Sequence, residues 1–430
     1  MDTLIRGRIL SFSDAPTGDD PAAWSYLEDG AILVRDGVIA AVGDYGPLAA
    51  EAGDVEIVDH RPCLIVPGFI DPHIHFPQLQ VIGSYGAQLL DWLNKYTLVE
   101  EQRYAEISHA EAMAPRFFDA LLRHGTTTAV AFCSVHPESA DAYFEEALRR
   151  NLRMVGGKVM MDRNAPAALT DTAQQGYDET KALIGRWQGR GRLYYAISPR
   201  FAITSTPAQM EAAGALAAEH PDLHVQTHLS ENRAEIDFAC SLYPEAKDYT
   251  DIYARYGLLG PKSLMGHCVH LSERELGAMA EARAVAVFNP TSNLFLGSGL
   301  FDMARVEGSG VRTAVATDVG GGTSWSMLNT LDAAYKILQL QSQSLPPLMS
   351  YYRATLGNAR ALGLEDRIGR IAPGYDADFV VLDIHGTPSM SLRAERVQTL
   401  AEELFVLQTM GDDRAVAEVY VAGVASRPQG

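Results

Sequence analysis

Residues 65–75 read IVPGFIDPHIH: two short apolar runs parted by Pro-Gly, ending in two histidines two positions apart. A compact run of this kind, bounded by turn residues, reads as a strand buried on both faces. The same design recurs in TTTAVAF (126–132), RMVGGKVM (153–160), LYYAISP (193–199), LHVQTH (223–228), SLMGH (263–267), AVAVFN (284–289) and VRTAVATD (311–318). Longer amphipathic stretches lie between them, such as AEISHAEAMAPRFFDALLRHG (105–125), interrupted by Pro115, and PAQMEAAGALAAEH (207–220). Strands alternating with helices form parallel sheets, and eight such units predict a closed (β/α)₈ barrel of the TIM type over residues 65–368.

Outside that core the pattern changes. Residues 1–64 hold short β-branched runs: TLIRGRILSF (3–12), AILVRDGVIAAVG (31–43) around the turn signal Asp36-Gly37, and VEIVDH (55–60). After a helical region near 325–364, residues 369–430 return to strands in GYDADFVVLD (374–383) and VAEVYVAG (416–423), divided by a more helical stretch near 395–410. The two ends are expected to combine into one small β-sandwich beside the barrel, an α/β protein overall.

Composition excludes several classes. With 430 residues, 47% hydrophobic and 21% charged, the chain can bury a large core and is neither fibrous nor disordered. A formal charge of −19 and a pI near 5.0 repel a phosphate backbone, so nucleic acid is not an expected partner. No apolar run approaches the roughly 20 residues that span a bilayer, and the start MDTLIRGRIL lacks a signal-peptide pattern, so neither a membrane nor export is expected and a cytoplasmic location is. The four cysteines, at 63, 133, 240 and 268, form no CxxC pair, which argues for free thiols and against a thiolate zinc site. It also excludes a deaminase of the cytidine type, which needs HxE with PCxxC.

The chemistry-bearing residues collect at one end of the expected barrel. His73 and His75, at i and i+2 of a strand, share a face. Alone, HxH is as well explained by packing. His228, however, ends the fifth predicted strand, His267 the sixth and Asp318 the eighth. All lie at C-terminal strand ends, the face on which barrels build active sites. Imidazole and carboxylate suit Zn²⁺, with Fe²⁺ an alternative, and the ion's task would be to lower the pKa of a bound water. Glu231, three residues past His228, reads either as a general acid/base or as a helix-terminal carboxylate answering the dipole.

PGFIDPHIHFPQ (67–78), the TH and GH strand ends, TD before a glycine run and PGYDADFVVLD (373–383) resemble the amidohydrolase superfamily, over nearly the whole chain. Within it, HIHFPQLQVIGSYGAQLLDWLNKYT (73–97), SPRF (198–201), HVQTHLSEN (224–232), PTSNLFLGSGLF (290–301) and ATDVGGGTSWSML (316–328) are similar to the guanine deaminase family. The resemblance implies one Zn²⁺ per subunit on His73, His75, His228 and Asp318, and a catalytic set of Glu231, His267 and Asp318. It implies a guanine substrate held by Gln78, Arg200, Phe201 and His267, and a homodimer. Trp92 is an aromatic candidate for stacking on the base, or a core residue. One departure stands out: the family commonly carries His-Cys where this chain has Phe288-Asn289, which puts pocket detail there in doubt. Lys158 tests a two-metal hydrolase, which needs a lysine on the fourth strand; Lys158 falls on the third and reads as structural. The alternatives left are an aminohydrolase of a pterin, a triazine or an oxidised purine, and a metal-free relative of the superfamily.

Overall fold

The computed structural model describes residues 2–17, 22–86 and 88–428. Its centre is a barrel of eight parallel strands: Phe69–His75, Thr126–Phe132, Arg153–Gly157, Leu193–Pro199, His224–Leu229, Ser263–His267, Val285–Phe288 and Arg312–Val315. All eight coincide with the predicted apolar runs. Closure comes from the segment after the last strand, where Asp318 N donates to His73 O at 3.0 Å and His75 N to Val319 O at 2.8 Å.

Alternation along the strands divides the barrel lumen into layers. Val130, Val155, Ala196, Leu264, Val285, Val287, Ala314 and Ala316 pack together in its lower part, closed beneath by Leu362, Leu364 and Ile368. Residues in phase with these, further along the strands, include Phe132, His228, Gly266 and Asp318. The apolar layer thus lies under a polar one.

Two helical details depart from expectation. Pro115 does not interrupt its helix, Ile107–Arg123, which continues through it. The carbonyl it leaves unbonded belongs to Glu111, at a solvent-exposed position where water can take over. A helix at Tyr45–Ala52 stands where only strands were read.

The chain ends combine in one seven-stranded sheet, in the order Val424–Ala425, Val416–Val421, Phe379–Leu382, Glu56–Pro67, Thr3–Phe12, Trp24–Arg35, Val38–Asp44. Both termini thus share one sheet, on which Ile5, Ile32, Ile65, Phe379 and Tyr420 pack together. Register shifts between Gly7 and Ile9 and between Arg6 and Arg8 mark irregularities in its Thr3–Phe12 strand. Asp36 and Gly37, with φ of 50° and 80°, make the hairpin turn that their sequence signalled. Part-buried ion pairs fasten this sheet to the lower rim of the barrel: Arg153 to Asp376, and Arg192 to Asp376 and Asp378.

Candidate active site

His73, His75, His228 and Asp318 converge in the polar layer, each offering one ligand atom within 4.8 Å of the others. Nε2 of His75 lies 3.2 Å from Nε2 of His228 and 3.2 Å from Oδ1 of Asp318, while Nε2 of His73 lies 3.3 Å from that same oxygen. His228 is held by Nδ1, 2.7 Å from the carbonyl of Arg200, which turns Nε2 inward. Room for His73 comes from Gly266: a Cβ there would stand 2.5 Å from the imidazole Cε1.

Protonation states match what a cation requires. Burial drives His75 down to about 4 against the pull of Asp318, and burial with its three histidine neighbours drives His228 well below its ordinary value. Burial pushes Asp318 up, but the surrounding imidazoles outweigh it and hold the carboxyl well below the usual range. Neutral His75 and His228 beside an ionised carboxylate, with buried Nδ1 and Nε2 of His73 and Nδ1 of His75 unbonded among the described residues, fit a divalent metal ion.

His267 reaches the site by a different route. Leu264 faces the lumen, so alternation puts Gly266 inside and His267 outside. A φ of 72° at His267 breaks the extended chain and brings Nε2 to 3.3 Å from Glu231 and 3.7 Å from Asp318. Nδ1 of its ring meets Asn293 Oδ1 at 2.9 Å and the Asn289 amide at 3.3 Å. Ser230, Cys268 and Asp318 also have positive φ, so left-handed non-glycine backbone gathers around this pocket, as strained geometry does at functional sites.

Glu231 is not the cap of the helix that follows. Asn232 caps Arg233–Leu242 and Glu235 closes the capping box, so Glu231 is free to enter the cavity. There Ser298 Oγ donates to its Oε1 at 2.9 Å. Burial and the charge of Asp318 raise its pKa to about 8, partly opposed by that hydrogen bond.

A pocket opens above the cluster. Gln78, Arg200 and Phe201 line it beside His75, His228, Glu231, His267 and Asp318, with Leu89, Trp92, Leu93 and Leu296 as its apolar wall. Trp92 both lines the pocket and packs with Val81, Leu89 and Leu296, its indole N–H donating to Ser84 O at 3.1 Å. All ten sequence-derived residues are brought to one site.

Glu101 and Asp71 were missed. Glu101 is fully buried and accepts from Arg200 Nη1 at 2.7 and 2.9 Å and from Gln78 Nε2 at 3.0 Å. It sits in LVEE, a stretch that reads as ordinary helix surface. Asp71 accepts from the Thr317 hydroxyl and, at 3.1 Å, from Thr317 N, fastening the eighth strand's extension to the first strand. Its place at i−2 from His73, in phase with HxH, was the available signal.

Two doubts resolve outside the pocket. Phe288 stacks on Phe301 in the core with centroids 4.6 Å apart, so the family departure enters the site through Asn289 alone. Lys158 is buried against Asp171 at 2.6 Å and Glu179 at 3.2 Å, engaged away from the metal cluster. The four cysteines are free thiols, and no helix among the described residues is long and apolar enough to cross a membrane.

Residues 64–425 match the model of the amidohydrolase family. The chain belongs to that family. It is 47% identical to the guanine deaminase of Escherichia coli (strain K12), over 97% of this chain and 96% of that one. The solved E. coli guanine deaminase superposes with a TM-score of 0.96 at 46% identity, covering 99% of each chain. The guanine deaminase of C. acetobutylicum, solved with guanine bound in its active site, superposes with a TM-score of 0.90 at 28% identity, over 99% of this chain and 100% of that one.

Proposed function

We propose that this amidohydrolase is a guanine deaminase, converting guanine and water to xanthine and ammonia, a step of purine catabolism. The observation that carries the reading is the union in one cavity of a His₃Asp cluster, a buried carboxyl with a raised pKa and a wall bearing the donors of Arg200 and Gln78. Full-length likeness to guanine deaminases supports the choice among aminohydrolases.

His73, His75, His228 and Asp318 would hold one zinc ion, or Fe²⁺ in its place. When bound, the ion supplies Lewis acidity that brings a water within reach of ionisation at neutral pH. The protein does the rest. Arg200 and Gln78 hold the base by its polar edge, Phe201 and Trp92 confine its faces, and C2 is thereby aimed at the cluster. As the water oxygen bonds to C2, Asp318 takes up its proton and Glu231 gives one to N3. Recharged with the proton that Asp318 took from the water, Glu231 then protonates the 2-amino group, the C2–N bond breaks, ammonia leaves, and the hydroxyl proton passes back to Glu231, giving xanthine. His267, 3.3 Å from Glu231, orients that carboxyl and the attacking oxygen.

An ultraviolet assay tests the reading. Guanine should be converted to xanthine, and adenine, which has no amino group to lose at C2 and sets an amino donor against Arg200's donors where guanine has O6, should be a very poor substrate. Arg200→Ala should lose most of kcat/KM with metal content unchanged. Equal rates on guanine and adenine would contradict the assigned pocket.

A further inference from the structure

Behind the wall that meets the base lies a residue to which the reaction gives no part. Glu101 does not line the pocket, yet its carboxylate is shared by the two side chains that do: Arg200 gives it both hydrogen bonds of Nη1, and Gln78 gives it one from Nε2. Its own backbone is pinned, Ser134 Oγ donating to Glu101 O at 3.1 Å. Gln78 is held from its other end as well, since Gly320 N donates to Oε1 at 3.1 Å.

An amide side chain can normally present either its oxygen or its nitrogen to a ligand. Here it cannot choose. The carboxylate of Glu101 only accepts, and the N–H of Gly320 only donates, so the Gln78 amide is locked with NH₂ toward Glu101 and oxygen toward Gly320. What remains for the pocket is the second N–H of Gln78 and the free donors of the Arg200 guanidinium. Glu101 also balances the charge of Arg200 inside the protein, leaving a fixed array of donors without a net positive charge beside a neutral base.

We propose that Glu101 is a positioning residue that makes this wall a reader of acceptors only, and thereby sets selectivity for a 6-oxo over a 6-amino purine. The inference rests on the guanine reading above and extends it to a residue outside the pocket. A sensitive probe is 2,6-diaminopurine, which keeps the 2-amino leaving group and the purine shape while turning O6 into an amino donor and, with it, N1–H into an acceptor. The wild-type enzyme should strongly prefer guanine, because a site built to hydrogen-bond an acceptor leaves its donors unpaired against the analogue.

Glu101→Gln replaces the obligate acceptor by a group that can donate or accept, which frees the Gln78 amide to turn its oxygen inward. With metal content held at the wild-type level, the ratio of kcat/KM for guanine over 2,6-diaminopurine should fall by about tenfold or more. The loss on guanine should lie mainly in KM, and the pH profile of kcat should keep its shape, since Glu101 handles no proton. Should Glu101→Gln fail to fold, Glu101→Asp keeps the charge opposite Arg200 but withdraws the carboxylate by one methylene. A folded Glu101→Asp enzyme should then show a reduced ratio as well. A ratio unchanged in either folded variant, with activity on both substrates lowered in parallel, would show that Glu101 only supports the fold and would overturn the inference while leaving the guanine reading intact. A wild-type enzyme inactive on guanine would overturn both.

Discussion

Glu231 illustrates how one side chain acquires a task from its surroundings. Its raised pKa, about 8 in place of 4.5, comes first from burial and then from the neighbouring charge of Asp318, and it lets the carboxyl hold a proton that an exposed glutamate would have lost. Glu231→Gln should keep the metal and lose kcat by on the order of 10² to 10⁴, the usual cost of removing a proton-transfer group. Near-normal turnover would remove Glu231 from the chemistry. Stability gives an independent check. Because the folded state binds this proton more tightly than the unfolded chain, the group favours folding at low pH, and that advantage is withdrawn as pH rises through the window between 4.5 and about 8. In metal-free protein the amide variant has no such titration. Its denaturation midpoint relative to wild type should therefore climb between about pH 5 and pH 8. A constant difference would mean that Glu231 titrates in the ordinary range when folded.

The strands and helices show which signals a sequence carries plainly. All eight barrel strands were legible because each is a short apolar run between turn residues, and the convergence of the His₃Asp cluster was legible because its members lie at or just past the ends of barrel strands, His73 and His75 in strand phase. His267 shows the limit: its position at a strand end is visible, but its orientation depends on a φ of 72° that no periodicity encodes. Glu101 was hidden for a related reason, since a buried carboxylate on a short helix looks like a surface residue until its partners, 23 and 99 positions away, are folded against it. The join between the terminal sheet and the barrel was equally invisible, resting on pairs such as Arg192 with Asp378, 186 residues apart. That join has a measurable role. Arg192→Met would leave Asp378, fully buried, without its cation, while Arg153 still serves Asp376. Removing one partner of a buried pair costs about 3–5 kcal/mol. The denaturant midpoint should fall accordingly, with kcat on guanine within about twofold of wild type, because the clamp lies at the opposite rim from the pocket. Unchanged stability would mean that water satisfies Asp378.

At the scale of the whole chain, the proposed metal site would be a closure device as well as a catalytic one. Its ligands come from residues 73, 75, 228 and 318, so an ion bound to all four ties the first barrel strand to the fifth and to the extension of the eighth. Such a site exists only once the barrel has closed, and whatever free energy the ion releases on binding is added to the stability of the folded state. Stripping the ion with a strong chelator should therefore have two coupled effects: loss of activity, and a fall in melting temperature that zinc reverses in step with turnover. The stoichiometry should be one ion per chain. Lys158, the lysine nearest in sequence to the role of a carboxylated bridge, is already committed to Asp171 and Glu179. Two ions per chain with a modified Lys158 would replace the mononuclear scheme by a binuclear one, and full activity in protein shown to be metal-free would remove the cluster from the chemistry altogether.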